Sequence, residues 1–208
     1  PIRLEEPTQG ALRAARALLR RKERQSVRKF LVEGRQGVRE ALKTPGAVDA
    51  VFLRWASAHD NLDLIDLARE VGVPVYGVSE QNLAAMSDTV TPQGIIAVAN
   101  AIDVSLPEVL TDPATGEQRE IKLVVICAQI RDPGNAGTVV RVADAFGADA
   151  VILSSASGEV CNPKVGRASV GSIFHLPIVV DANLKETIDS CRAAGMQVFA
   201  TDGEAETN

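Results

Sequence analysis

"IKLVVICAQIRDPGNAGTVVRVADAFGADAVIL", residues 121–153, decides the fold. "IKLVVICA" is apolar on both faces, as a central parallel strand needs to be. "RDPGNAG" then supplies a Pro/Gly loop carrying Asn135 and Gly137, and "GTVVRVADAFG" reads as a helix with Arg141 one turn in. "ADAVIL" closes the unit as a second strand. Strand, glycine-bearing loop, helix and strand make an α/β unit whose helix N-terminus offers unpaired N–H groups at the sheet edge, a general anion- and ligand-binding arrangement. It is not a dinucleotide fingerprint, because Gly134 and Gly137 are three apart and the G-x-G-x-x-G pattern would need a further glycine that Val140 denies. Two readings of the polar pair stay open on the residues alone. Asn135 and Arg141 hold an oxygen-rich substrate between them, or Asn135 caps the helix and Arg141 pairs with Asp144 or Asp132.

Working outward, the same alternation recurs on both sides. Upstream come strand "KFLVEG", helix "RQGVREALK", strand "AVDAVFLR", helix "NLDLIDLAREVG" with Leu62, Ile65, Leu67 and Ala68 at helical spacing, strand "VPVYGV", helix "SEQNLAAMSD" with Ser79 as N-cap, and strand "GIIAVAN". Downstream come a loop over "SSASGEVCNPK", a short helix near "VGRASVGSIF", strand "LPIVV", helix "NLKETIDSCRAAG" and strand "MQVFAT". Residues 103–120, rich in Pro, Gly and acids with no sustained period, read as a linker. The expected organisation is a basic N-terminal helix over 1–24, with "QGALRAARALLRRKER" as one exposed helix with a narrow buried stripe. A small α/β domain over 25–102, the linker over 103–120 and a parallel-sheet α/β domain over 121–208 follow.

The chain has 208 residues, is 46% hydrophobic and carries a net charge of −5, enough apolar material for one large or two small cores. No run approaches a membrane span and no charged-then-apolar leader opens the sequence, so the expected compartment is the cytoplasm, with no membrane partner. Cys127, Cys161 and Cys191 have no paired C-x-x-C spacing, which argues against a disulfide framework or a zinc site; no metal is expected. Cys161, in a polar loop, is the thiol to examine. The charge is unevenly spread: residues 10–43 hold eleven of the twenty-two Lys and Arg and only Glu23, Glu33 and Glu40 among the acids. Arg20, Arg21, Lys22, Arg24, Arg28 and Lys29 form its densest run, either a solvated helix face or a phosphate-binding surface. His175, between Phe174 and Leu176, is expected to pack against a strand, and Trp55 and His59 to lie at the surface.

Asp132-Pro133-Gly134-Asn135-Ala136-Gly137-Thr138, followed by Arg141, Ala143, Asp144, Ala145, Phe146 and Gly147, resembles the first motif of the SpoU/TrmH family of RNA ribose 2′-O-methyltransferases, within the SPOUT superfamily. Asn162-Pro163-Lys164, Arg167-Ala168-Ser169, Gly171 and Phe174-His175-Leu176-Pro177 resemble its second stretch. "RKFLVEG" with "VREAL", and "TPQGIIAV", resemble an L30e-like RNA-binding domain. The resemblance covers about residues 20 to 202.

It implies an L30e-like domain followed by a SPOUT-type domain, knotted in the family, that moves a methyl group from S-adenosylmethionine to a ribose 2′-hydroxyl of structured RNA, ribosomal rather than transfer RNA. By analogy Asn135 and Arg141 are the catalytic pair, the six basic residues above with Lys164, Arg167 and Ser169 contact RNA, and Thr201 touches the cofactor. Glu33 could orient the basic arm, and a homodimer is implied. Two further motifs of the family, a glycine-rich loop with a glutamate and a Ser/Leu/Asn-rich segment that threads the knot, are not in this sequence. The chain is therefore expected to be incomplete. Two alternatives remain: a noncatalytic RNA-binding module that never binds the methyl donor, and a small-molecule enzyme using the Asn135 loop for a phosphorylated substrate.

Overall fold

The computed structural model describes residues 3–112, 114–157 and 159–201. The single helix expected over 9–24 forms as two, α1 (Gln9–Ala17), capped by the Thr8 hydroxyl, and α2 (Arg21–Val27). No Gly or Pro lies at the break. Arg24 accounts for it: its Nη1 donates to the Leu18 and Leu19 carbonyls at 2.9 and 2.8 Å, acceptors that a continuous helix would satisfy with its own N–H groups. Of the apolar positions expected to form the narrow stripe, Leu12 and Leu18 are buried against the first sheet together with Ala15, while Leu19 is half-buried.

That sheet contains β1 (Lys29–Glu33), β2 (Val48–Arg54), β3 (Val75–Val78) and β4 (Ile95–Asn100) in the order β1-β4-β2-β3. β4 runs antiparallel to both β1 and β2, while β2 and β3 are parallel. The period-two side-chain pattern sorts its residues cleanly onto two faces. Phe30, Val32, Val51, Leu53, Ile95 and Ala97 face α3 (Arg35–Lys43) and α4 (Leu62–Glu70). Leu31, Phe52 and Ile96 face α1 and α5 (Glu80–Ala84), whose N-cap is Ser79 as expected. In α4 the buried stripe is Leu64, Ile65 and Ala68, with Leu62 exposed, so the helix is rotated relative to the expected face.

The expected linker contains a helix, α6 (Leu106–Leu110). Its signal was in the sequence: Ser105 and Glu108 form a capping box, in which the Glu108 carboxylate accepts from the Ser105 N–H at 2.7 Å. Val109 is buried against Ala150, Ile152 and Val179, so tertiary burial holds a helix that the Pro and acid content hid.

The second sheet is parallel, β5 (Val124–Cys127), β6 (Ala150–Ser154) and β7 (Ile178–Ala182), in that order. Among the described residues β5, expected to be central, pairs on one side only, with β6: Val124, Val125 and Ile126 are half-buried, whereas all five residues of β6 are buried. An apolar run reports that both faces are covered, not that both edges are paired. "MQVFAT", expected as a strand, forms none, and Phe199 is 83% exposed. α9 (Leu184–Ala193) precedes it.

α7 (Pro133–Ala145) and α8 (Pro163–Ser169) cross at Gly137, which is helical and not the loop glycine expected. A Cβ there would stand 2.6 Å from the Val165 carbonyl oxygen and 2.6 Å from the Ala168 Cβ. The apolar core runs on without a break from the first sheet through α7, α8 and β6, and the Phe30 and Phe174 rings stack across the junction at 6.2 Å. Gly137→Ala gains about 1 kcal/mol of helix propensity but drives a methyl into backbone that cannot swing aside. The overpacking cost of about 1–3 kcal/mol should exceed that gain, and a lowered urea midpoint with an unchanged slope would show it.

Candidate active site

The site residues sit where β5 and β6 end. The loops beyond these strands are tied together by two hydroxyls: Ser154 donates to the Ala128 carbonyl, and Ser157 donates to the Cys127 carbonyl at 3.1 Å while accepting from the Ile130 N–H at 3.3 Å. α7 then starts at Asp132, whose carboxylate accepts from the Asn135 N–H at 2.9 Å, with Pro133 at the first helical position. The cap is therefore Asp132. Asn135 lies in the first turn with an exposed side chain, and Arg141 is exposed two turns in, not one.

The structural reading of this pair does not hold. Asp132 is committed to the helix cap and Asp144 to His175, at 2.6 Å from its Nδ1, and Arg141 has no carboxylate partner among the described residues. Six residues on a helix correspond to about 9 Å along the axis and about 120° of rotation. Asn135 and Arg141 thus do not converge on one small group; together they suit an extended ligand that wraps the exposed side of α7.

The other expected contacts divide in two. Arg24 is buried and its fork is fully used, with Nε and Nη2 on the two Glu159 oxygens at 2.9 and 2.8 Å, so it holds α2 to the second domain and is no phosphate ligand. Ser169 is wholly buried and donates to the Gly166 carbonyl at 2.9 Å, a helix hydroxyl out of reach of RNA. Arg167 bonds Asp88 at 2.6 Å and lies 3.5 Å from Glu33, joining α8 to the first domain. Glu33 consequently faces Arg167, with Ser87 and Thr89 donating to it, and does not orient the basic arm. Arg28 pairs with Asp103 at 3.1 Å and Lys29 with Asp49, though Arg28 remains exposed. Arg20 and Arg21 are largely solvated, each 3.7 Å from a glutamate. Lys22 and Lys164 are exposed without an ion pair among the described residues.

His175 was missed. It does not pack against a strand but bridges the domains: Nε2 lies 2.9 Å from the Glu40 carboxylate of α3 and Nδ1 2.6 Å from Asp144 of α7. The hydrogen bond to Glu40 raises its pKa above the ordinary value, against partial burial and with further help from Asp144. Burial works to raise Glu40, but the His175 and Lys43 hydrogen bonds win and hold it below the carboxylate norm. No sequence spacing announces this contact, since Glu40 and His175 are 135 residues apart.

Cys161 is no nucleophile: burial, with Asp103 and Glu159 nearby, pushes its thiol up to about 12. Trp55 and His59 lie at the surface, as expected. Thr201 is exposed coil. Cavities of about 360, 90 and 400 Å³ lie elsewhere, and none of the three is lined by Asn135, Arg141 or Thr201. No helix of the described residues is long and apolar enough to cross a membrane.

Residues 122–208 match the model of the SpoU rRNA Methylase family, and residues 10–97 match the MRM3-like substrate binding domain. The fold and these two matches define the class: a substrate-binding α/β domain joined to a parallel-sheet RNA methylase domain. Residues 122–208 thus carry a SpoU rRNA methylase domain, and residues 10–97 an MRM3-like substrate-binding domain. It is 36% identical over 181 residues to the 23S rRNA (guanosine(2553)-2′-O)-methyltransferase RlmP of Bacillus subtilis, covering 87% of this chain and 65% of that protein. To human mitochondrial rRNA methyltransferase 3 it is 34% identical over 175 residues, 84% of this chain and 40% of the relative. The chain thus spans less than two thirds of either curated relative. Among solved structures, an AdoMet-bound rRNA methyltransferase from Sinorhizobium meliloti superposes with a TM-score of 0.73 at 26% identity, covering 92% of this chain and 68% of that one.

The His175 bridge fixes a pH window. A histidine whose folded pKa is raised contributes stability that is fully present below 6.5 and is lost as pH rises through the folded value. A glutamate whose pKa is lowered contributes stability that is fully present above 4.5 and is lost as pH falls through its folded value. Both contributions coexist between 4.5 and 6.5, and solvent exposure of the imidazole keeps the total small, about 1 kcal/mol or less. Melting temperature should decline above pH 6.5 in the wild type and less steeply in His175→Gln.

Proposed function

We propose that the protein methylates a ribose 2′-hydroxyl of ribosomal RNA with S-adenosylmethionine as donor, using Asn135 and Arg141. The observation that carries this reading is the state of α7: an amide and a guanidinium are exposed on it, while both aspartates that could neutralise the arginine are engaged elsewhere. An unpaired Arg beside a carboxylate that prefers another partner suits an anionic ligand.

The donor supplies a methyl group already activated as a sulfonium. What remains for these residues is positioning, charge stabilisation and handling of the hydroxyl proton. Arg141 stays cationic at any physiological pH, so it does not act as a base; it holds a phosphate of the strand next to the reacting ribose. Asn135 orients the ribose through its amide. Lys22 and Lys164, which have no ion pair among the described residues, and the largely solvated Arg20 and Arg21 provide the phosphate contacts, since counterion release needs cations that are not already neutralised. The 135 and 141 side chains lie on different sides of α7, which supports a polynucleotide over a small phosphorylated metabolite. Val142 on α7 and Phe146 at its C-cap, 46% and 79% exposed, offer an apolar stripe for a second copy of the chain, and we read the assembly as a homodimer in the cytoplasm.

In the full-length protein, Asn135→Ala and Arg141→Ala should each lower the rate of methyl transfer to ribosomal RNA by about 10²–10³, and Arg141→Lys should be nearly as damaging for want of the planar fork. Transfer of labelled methyl to RNA from cells lacking the gene, with the modified ribose then mapped, is the measurement. Lys22→Ala should reduce the slope of log affinity against log salt by about 1. Unchanged rates in both alanine variants would defeat the reading, and calorimetry showing RNA binding without donor binding would point to a noncatalytic module.

A further inference from the structure

On helix α7, Arg141 and Asp144 stand three residues apart, the spacing at which an arginine and an aspartate ordinarily pair. Here Asp144 points instead to His175, whose Nδ1 is 2.6 Å from Oδ2, closer than most neutral hydrogen bonds. The second ring nitrogen is 2.9 Å from Glu40 in the other domain. Both nitrogens therefore face carboxylate oxygens, which only accept, so both must donate and the ring is an imidazolium. Glu40 is itself anchored, with Gln36 donating at 2.8 Å and Lys43 at 3.3 Å to its other oxygen. The backbone closes on the same point: Gly171, with φ of +92°, sits so tightly on Glu40 that a Cβ would come within 2.7 Å of its Cγ.

We propose that His175 is a positioning residue for the site on α7: by occupying Asp144 it keeps that carboxylate off Arg141 and leaves the guanidinium free for RNA. This rests on the reading of Arg141 as an RNA-contacting group. It adds a coupling between the two domains, because the histidine reaches Asp144 only while the substrate-binding domain presents Glu40 to its other nitrogen. The charged groups that face the imidazole are Glu40 from α3, itself paired with Lys43, and Asp144 from α7. Loss of the ring proton removes one of its two donors, releases one carboxylate, and weakens the hold on Asp144. RNA affinity should therefore decline as pH rises above 6.5 towards and through the raised pKa of His175.

The test is a suppressor experiment on the full-length protein, reading RNA affinity and methyl-transfer rate, with circular dichroism and melting curves on every variant. His175→Gln should weaken RNA binding about tenfold, the equivalent of one charge-assisted hydrogen bond. Asp144→Asn removes the competitor, so the double variant His175→Gln/Asp144→Asn should bind within about twofold of Asp144→Asn alone, and the pH dependence of Asp144→Asn should be flat. If histidine served only to hold the fold together, the second substitution would add damage and not relieve it. A double variant as weak as His175→Gln, or a His175→Gln protein that binds normally, overturns the inference. Arg141→Ala separates the levels: a normal Arg141→Ala protein brings down the site reading itself, whereas an impaired one beside an unrescued double variant brings down only the role of His175.

Discussion

The seam between the two α/β units is the constraint on which the rest depends. One apolar core passes through it, from Phe30 and Val32 on β1 to Val140, Val165 and Ile173 around α7 and α8. Burying such side chains is worth about 1.5–3 kcal/mol each, and the offset Phe30–Phe174 stack adds to it. The seam is rimmed by three sets of charge contacts, Arg24 with Glu159, Arg167 with Asp88 and Glu33, and His175 between Glu40 and Asp144. Apolar burial sets the strength of the joint; the charges, each costly to leave unpaired in a partly dry setting, set its register. The result is that the substrate-binding unit meets α7 and α8 in one orientation.

That joint also decides which basic residues are free. A guanidinium inserted into the seam, like that of Arg24, has all its donors satisfied by Glu159 and by two backbone carbonyls and can no longer serve a phosphate. Lys22, two residues away, projects from the other side of the same short helix and stays solvated. The density of positive charge in residues 10–43 therefore overstates the cationic surface available to an anionic ligand, because part of it stabilises the molecule internally. On α8 Lys164 stays exposed, while Arg167, three residues on, is taken up by Asp88 and Glu33 of the first domain.

Much was legible from the residues because the patterns were local. Period-two alternation in "KFLVE" and "AVFLR" fixed which side chains oppose which layer, and the serine before "EQNLA" fixed the start of α5. What failed were inferences about neighbours. "IKLVVICA" is apolar throughout, yet edge or centre depends on which strands lie beside it, and "MQVFAT" has strand residues but no strand paired with it. Gly137 looked like a loop glycine because it follows Pro133 and Gly134; it is a contact glycine, required by the backbone of another helix. The capping box at Ser105 was readable and was outweighed by the prolines and acids around it.

The sequence by itself determined that two α/β units follow one another, that Asn135 and Arg141 fall on the helix that follows a strand, and which two domain families its halves match. Those properties depend on residues close together along the chain, whose spacing sets helix faces, strand faces and caps. Only the tertiary structure decided that Asp144 turns to His175, that Arg24 and Ser169 are buried, and that Arg141 is left without a partner among the described residues. An ion pair forms with whichever opposite charge lies a few ångströms away, and between residues 40 and 175 that distance is set by packing, not by sequence separation.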